Sequence, residues 1–158
     1  MTTTTKQTAF FLMGGPASEK SSVSAVRLAG LKTIDCDAYK TLHPDYDPKN
    51  ILAEVHEWSN VECTKAIYRA IGTGETFVYD STGTNVEKMV TFINAARSAN
   101  FDTVVIYVPC SLNVALARNA KRARTVPEAV VREKYSTIAT AFEIVSRYAD
   151  RVEVIRND

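Results

Sequence analysis

The sequence predicts an α/β fold, an open doubly wound sheet of about five parallel strands with helices on both faces. Three observations predict it. Short continuous apolar runs near residues 8–13, 31–34, 76–79, 102–108 and 152–155 alternate with segments whose apolar residues recur at helical spacing. A glycine-bearing loop followed by Lys20-Ser21-Ser22 separates the first such strand from the first helix, which is where open α/β sheets bind ligands. The length of 158 residues fits one domain and permits a substantial core, so residues 8–158 read as a single domain preceded by a polar tail, residues 1–7.

The first strand, 8–13, is apolar throughout, as expected of a strand covered on both faces. It delivers Gly14-Gly15-Pro16-Ala17-Ser18-Glu19-Lys20-Ser21-Ser22. Against the phosphate-binding pattern G-x-x-x-x-G-K-[ST], Gly14, Lys20 and Ser21 fall in register and Glu19 departs. Such a loop turns backbone N–H groups toward a phosphate chain, its Lys meets the outer phosphates, its Ser hydroxyl ligates Mg²⁺, and the helix N-terminus adds positive potential. ATP and Mg²⁺ are therefore the expected ligands, with all nine residues from Gly14 to Ser22 in contact range. Glu19 stands where a glycine lets the backbone approach, and it brings bulk and negative charge. A natural divergence, a disabled variant and a side chain turned to solvent all fit that residue.

The first helix, 20–29, carries Val23, Val26 and Leu28 and stops at Gly30. A second strand, 31–34, ends in Asp35-Cys36-Asp37 at the edge that faces the ligand crevice. Tyr39 and Lys40 follow, and the prolines of His43-Pro44-Asp45-Tyr46-Asp47-Pro48 then exclude a regular helix, leaving a surface loop near the mouth. Helical spacing resumes over 50–71, with Trp58 expected in the core, and Gly72-Thr73-Gly74 ends it. The strand 76–79 leads into Asp80-Ser81-Thr82-Gly83, and a helix bearing Met89, Val90, Ile93 and Ala96 follows. The most apolar strand, 102–108, is expected at the centre of the sheet. Beyond Pro109 a helix with Leu112, Ala115 and Leu116 runs into the cationic stretch Arg118 to Arg124. Val131, Tyr135, Ile138, Phe142 and Val145 then mark a long helix with a buried stripe, and 152–155 forms the last strand.

Nineteen Lys and Arg against eighteen Asp and Glu leave a formal charge of +1, which gives no global basic field for nucleic acid. Cys36, Cys63 and Cys110 are odd in number and lack metal-ligand spacing, so they read as reduced thiols with no structural metal. No apolar run reaches the ~18 residues of a membrane span, and a cytoplasmic location is expected. His43 and His56 read as loop and helix-surface residues without a catalytic role.

Phosphoryl transfer requires a phosphate cradle, a metal, a group that orients the acceptor hydroxyl, and cations over the moving phosphoryl group. Asp37, at the end of the second strand, is the candidate base; Asp35 lies on the same face if the strand persists and is the alternative. Asp80 follows an apolar strand, as a Mg²⁺- or substrate-facing carboxylate would. Arg118 and Arg122, four apart on a helix and flanked by Lys121 and Arg124, form a cationic tip suited to a lid over phosphates.

Three segments together resemble a known family: Asp37-Ala38-Tyr39-Lys40; Asp80-Ser81-Thr82-Gly83-Thr84-Asn85; and Arg118-Asn119-Ala120-Lys121-Arg122 with Val126-Pro127. They look like the P-loop kinases grouped around bacteriophage polynucleotide 5′-hydroxyl kinase and the zeta-toxin kinases, over about residues 10–148. The resemblance implies a P-loop NTPase fold and an ATP-dependent phosphotransferase. It implies Asp37 as the group that activates the acceptor hydroxyl, and Arg118 and Arg122 as phosphate-holding cations. Lys20 and Ser21 take the loop roles, and Asp35, Lys40, Asp80, Thr82 and Gly83 fall on the acceptor side. The implied acceptors are a 5′-hydroxyl or hydroxymethylated base of DNA, a nucleotide, or, on the zeta-toxin side, a UDP-sugar. A nucleotide-binding module silenced by Glu19 is the non-enzymatic alternative.

Overall fold

A computed structural model describes residues 6–15, 17–122 and 125–157. Its five strands are β1 (Thr8–Met13), β2 (Lys32–Asp35), β3 (Phe77–Asp80), β4 (Asp102–Tyr107) and β5 (Arg151–Val154). They form one parallel sheet in the order β2-β3-β1-β4-β5. The expected doubly wound architecture is present. The centre is occupied by β1; β4, expected there, is interior but one place removed.

Residues on β1 alternate between two apolar layers, which is why its sequence is apolar without alternation. Ala9, Phe11 and Met13 join Phe77, Tyr79 and Val105 beneath helices α3 (Ala53–Thr73), α4 (Val86–Ser98) and α6 (Glu128–Val145), through Ile67, Ile93 and Val145 among others. On the opposite face Leu12, Val78, Val104 and Ile106 meet Leu28 and the half-buried Val23 of α1 (Lys20–Arg27). That cover is thin: α1 holds no buried residue, and Val26 is 83% exposed. A third small cluster joins Ala17 and Cys110 to Ala115 of α5 (Leu112–Ala120) and Val131 of α6.

Two further elements differ from expectation. Cys36–Lys40 is a short helix, α2, because the Asp35 carboxylate accepts the Asp37 N–H at 2.9 Å and caps its start. Trp58 is half-buried outside the core, edge-on to His43 with ring centroids 5.2 Å apart, so it anchors the proline-rich loop. The three cysteines are free thiols; Cys63 and Cys110 are buried and Cys36 is half-buried. Among the described residues no helix is long and apolar enough to cross a membrane.

Candidate functional site

Parallel pairing brings three strand ends to one level. Leu12 of β1 is in register with Asp80 of β3, and Asp80 with Asp35 of β2. The chain leaves β1 at Gly14, whose N–H donates to Thr82 O at 3.3 Å, and the loop then arches beside Asp80. Lys20, first residue of α1, turns its Nζ to within 3.7 Å of Asp80 Oδ1. Sheet topology alone therefore gathers a cation and two carboxylates from residues far apart in sequence.

Space inside the loop is limited. A Cβ on Gly14 would fall 2.6 Å from Ser18 Oγ and 2.7 Å from Lys20 Cγ, and one on Gly15 would strike the Tyr135 ring of α6 at 2.3 Å. Ser18 is fully buried, and its Oγ has no hydrogen-bond partner among the described residues. A buried hydroxyl without a partner costs about 1–3 kcal/mol, and an incoming phosphate oxygen would satisfy it. The close-packed glycines, the orphaned hydroxyl, the helix N-terminus and Lys20 all fit a nucleotide phosphate chain. Pro16 lies outside the described residues. Ser21 and Ser22 are exposed at the start of α1.

Glu19 adopts φ +64° and Ala17 φ +60°. Both are left-handed conformations that cost a residue with a Cβ about 1–2 kcal/mol. The glycine of the pattern is thus missing where the backbone needs one. The Glu19 side chain does not fill the cradle; its Oε1 accepts from Arg122 Nη2 at 2.6 Å. Arg122, expected over phosphates, is paired with Glu19 at the loop's rim. Arg118 Nη1 donates to Asn157 O at 2.7 Å and Ala17 O at 3.4 Å, so this arginine supports the loop through carbonyl oxygens. Asn119 accepts the Val126 N–H at 2.9 Å and donates to Val126 O at 2.6 Å, tying the end of α5 to the approach to α6. Arg124 lies outside the described residues.

Beyond Asp80 a cavity of about 530 Å³ opens, lined among others by Asp35, Asp37, Lys40, His56, Asn60, Asp80, Thr82, Gly83, Asn85, Lys88 and Lys134. Asp37 projects into it from the first turn of α2, 69% exposed, with Lys40 Nζ 2.9 Å from its Oδ1. Burial holds the Asp35 carboxyl above the usual carboxylate range, and the Asp80 charge adds to the rise. Burial also raises Asp80, against the opposing pull of Lys20.

The expected acceptor-side residues Asp35, Asp37, Lys40, Asp80, Thr82 and Gly83 all line this one cavity. Lys88, Lys134, His56 and Asn60 line it too and went unrecognised in the sequence. Each lies on a helix, and only the tertiary fold sets it at the cavity, where His56 and Asn60 stay exposed and Lys88 and Lys134 are half-buried. Lys134 Nζ reaches Thr84 Oγ1 at 3.3 Å. Among the described residues no group of three or more His, Cys, Asp or Glu side chains converges as a metal set.

The Zeta toxin family model matches residues 1–158. No curated protein matches the chain by sequence. Among solved structures, one from the PezAT chromosomal toxin-antitoxin system of Streptococcus pneumoniae is similar at TM-score 0.77 and 10% identity, covering 99% of this chain and 71% of that one. A complex of AvrRxo1-ORF1 and -ORF2 with ATP gives TM-score 0.61 and 18% identity over 90% of this chain and 48% of that one. A structure of the Pnkp1/Rnl/Hen1 RNA repair complex gives TM-score 0.75 and 11% identity over 89% and 47%. The chain spans about seven tenths of the first of these and about half of the other two. At such identities the likeness is one of fold, that of a P-loop kinase, and it agrees with the order of the sheet and the loop after β1. The match along the whole sequence decides the family: the chain belongs to the Zeta toxin family and has the P-loop kinase fold.

Proposed function

We propose that the protein is an ATP-dependent kinase that phosphorylates a hydroxyl group of a small, phosphate-bearing acceptor of the nucleotide or sugar-nucleotide class. One observation carries the proposal: a phosphate-loop lysine and a strand-end carboxylate, Lys20 and Asp80, stand 3.7 Å apart at the entrance of a cavity that also holds Asp35 and Asp37. Donor phosphates on the loop and an acceptor in the cavity would then meet at Asp80.

Size and charge support the choice of acceptor. About 530 Å³ is the volume of a small-molecule site. Lys40, Lys88 and Lys134 supply cations for acceptor phosphates beside the three aspartates. A formal charge of +1 argues against an extended polynucleotide track, which needs several phosphate contacts. The 5′-hydroxyl end of a polynucleotide is the second reading, favoured by the fold-level likeness to a structure of an RNA repair complex.

In the reaction, Asp37 accepts the acceptor's hydroxyl proton while Asp35, through its cap on the Asp37 N–H, fixes where Asp37 stands. Lys20 and the loop N–H groups hold the donor phosphates. Arg122 exchanges Glu19 for the transferring phosphoryl group, whose spreading charge it stabilises. Mg²⁺ would be held by the Ser21 hydroxyl and Asp80 and would neutralise phosphate charge. The competition between Glu19 and phosphate for Arg122 predicts weak nucleotide affinity rather than a silent module.

The test is transfer of label from γ-³²P-ATP to a panel of UDP-sugars, nucleoside monophosphates, 5′-hydroxyl oligonucleotides and hydroxymethylated DNA. Label on a UDP-sugar or mononucleotide supports the proposal. Label only on polynucleotides moves the assignment to the second reading, and ATP binding without transfer to any acceptor leaves the nucleotide-binding module.

A further inference from the structure

Asn157, three residues beyond the end of β5, ties distant segments together. Its main-chain N–H donates to Pro109 O at 3.0 Å, at the exit of β4. Its carbonyl accepts from Arg118 Nη1 at 2.7 Å. Its carboxamide Nδ2 donates to Ser18 O at 3.1 Å and reaches Glu19 O at 3.5 Å. Arg118 Nη1 in turn reaches Ala17 O at 3.4 Å. Asn157 and Arg118 together therefore draw three successive carbonyls of the phosphate loop, those of Ala17, Ser18 and Glu19, toward one side.

A trans peptide is planar, with its N–H pointing opposite to its C=O, and the described residues contain no cis peptide. Holding the carbonyls of Ser18 and Glu19 on the Asn157 side therefore aims the N–H groups of Glu19 and Lys20 the other way. Successive N–H groups around alternating left- and right-handed residues make an anion-binding concavity. This loop reaches that shape without glycine at 17 or 19, where φ is +60° and +64°. A left-handed residue with a Cβ persists when its surroundings over-determine it; here the donors of Asn157 and Arg118 act beside the Ser22 N–H, which donates to Glu19 O at 3.1 Å, and beside Arg122 on the Glu19 carboxylate.

We propose that Asn157 is a positioning residue for the phosphate loop: through the carbonyls of Ser18 and Glu19, and in concert with Arg118, it sets the direction of the N–H groups that receive the donor phosphates. This inference rests on the reading of the loop as a nucleotide phosphate site. Asn157 touches no reacting atom and acts only through the backbone.

The experiment compares the unsubstituted chain, Asn157→Ala and Asn157→Asp by amide hydrogen exchange without nucleotide, and by calorimetric titration with ATP and Mg²⁺. Asn157→Asp keeps the shape and the main-chain bonds and removes the side-chain donor. Both substitutions should speed exchange in residues 17–21 by ~3–10-fold, the worth of one or two hydrogen bonds, leave exchange in β1 and β4 unchanged, and weaken ATP binding by a similar factor. Repeating them in a Glu19→Gly background should shrink the effect, because glycine needs no help to hold φ +64°. Unchanged loop exchange in both variants, faster exchange across the whole sheet, or an undiminished effect in the Glu19→Gly background each overturns the proposal. The exchange measurement uses no nucleotide. An unsubstituted chain that fails to bind ATP would therefore count against the kinase reading, while loop exchange still decides for or against Asn157.

Discussion

Arg122 and Glu19, 103 residues apart in sequence, meet at 2.6 Å across the rim of the phosphate loop. The only acidic residue in the loop is thus paired with a cation from the segment expected to cover the phosphates. Both side chains are partly exposed, so the pair contributes about 0–1 kcal/mol to stability. Its larger effect is on binding: a phosphate that recruits Arg122 must displace Glu19.

Glu19→Gly should therefore change affinity more than stability. Relief of the left-handed strain is worth ~1–2 kcal/mol. Glycine's greater freedom in the unfolded chain takes back ~0.4–1 kcal/mol, and the lost ion pair takes a similar amount. Net stability should stay within ~1 kcal/mol by denaturant titration, while ATP binds about tenfold tighter by calorimetry, a gain of ~1.4 kcal/mol. Unchanged or weaker binding would show that Arg122 is not in competition between Glu19 and phosphate.

Lys20→Ala should abolish measurable ATP binding with the fold preserved. Only 18% of the Lys20 side chain is exposed, but its Nζ faces Asp80 and not the core. Circular dichroism and calorimetry on the same sample check both halves. A variant that binds ATP normally would remove the phosphate-loop assignment.

The half-buried carboxylate of Asp35 gives a pH signature. Its pKa is raised in the fold by burial first, then by the charge of Asp80; the Asp37 N–H opposes the rise, the Asp37 charge adds to it and Lys20 opposes it. The folded chain thus binds this proton more tightly than the unfolded chain, so the group's contribution is fully present below its unfolded value of about 3.8 and is lost as pH rises through the higher folded value. Asp35→Asn keeps an oxygen to cap the Asp37 N–H and removes the charge. It should raise Tm more at pH 7 than at pH 4, measured in EDTA to exclude metal. A larger gain at pH 4 would contradict the assigned direction.

Arg122→Ala should lower kcat by ~10²–10³, the range for removing a donor that acts on developing charge, with a smaller change in the KM for ATP. In single-turnover transfer its effect should fall short of additivity with that of Asp37→Asn, because both act on one transition state. Fully additive losses would assign Arg122 to ground-state binding alone.

The fold was legible because β1 and β4 are continuously apolar and because one register of Gly14, Lys20 and Ser21 fixes strand, loop and helix together. The location of the cavity beyond Asp80 was legible for a related reason: strand ends in a parallel sheet share one edge, which puts Asp35 and Asp80 at the same edge, and the pairing of β2 with β3 makes them neighbours. What could not be read were contacts set by long-range packing. Helical periodicity placed Trp58 in the core but cannot tell core from a half-buried ring that holds a loop through His43. The Asp35 cap that begins α2 competes with continued strand, and strand was the simpler expectation for a run ending in Ile34. Arg118 was marked by its cationic neighbours, yet its bonds to Asn157 and Ala17 carbonyls depend on where the last strand returns. Lys134 carries no local signal, since nothing in the sequence says which polar side of α6 faces a cavity.

In the proposed division of the site, the carboxylate at the start of α2 serves the acceptor across from a loop that serves the donor. Single-turnover transfer of γ-³²P from ATP to the best acceptor of the panel, on the unsubstituted chain and on Asp37→Asn, tests it most directly, with ATP affinity measured alongside. Asp37→Asn should bind ATP within about threefold of the unsubstituted chain yet transfer ~10²–10⁴ times more slowly, the range for loss of a general base. A variant that transfers at the normal rate, or that loses ATP binding instead of transfer, would contradict the division of the site and place Asp37 outside the chemistry.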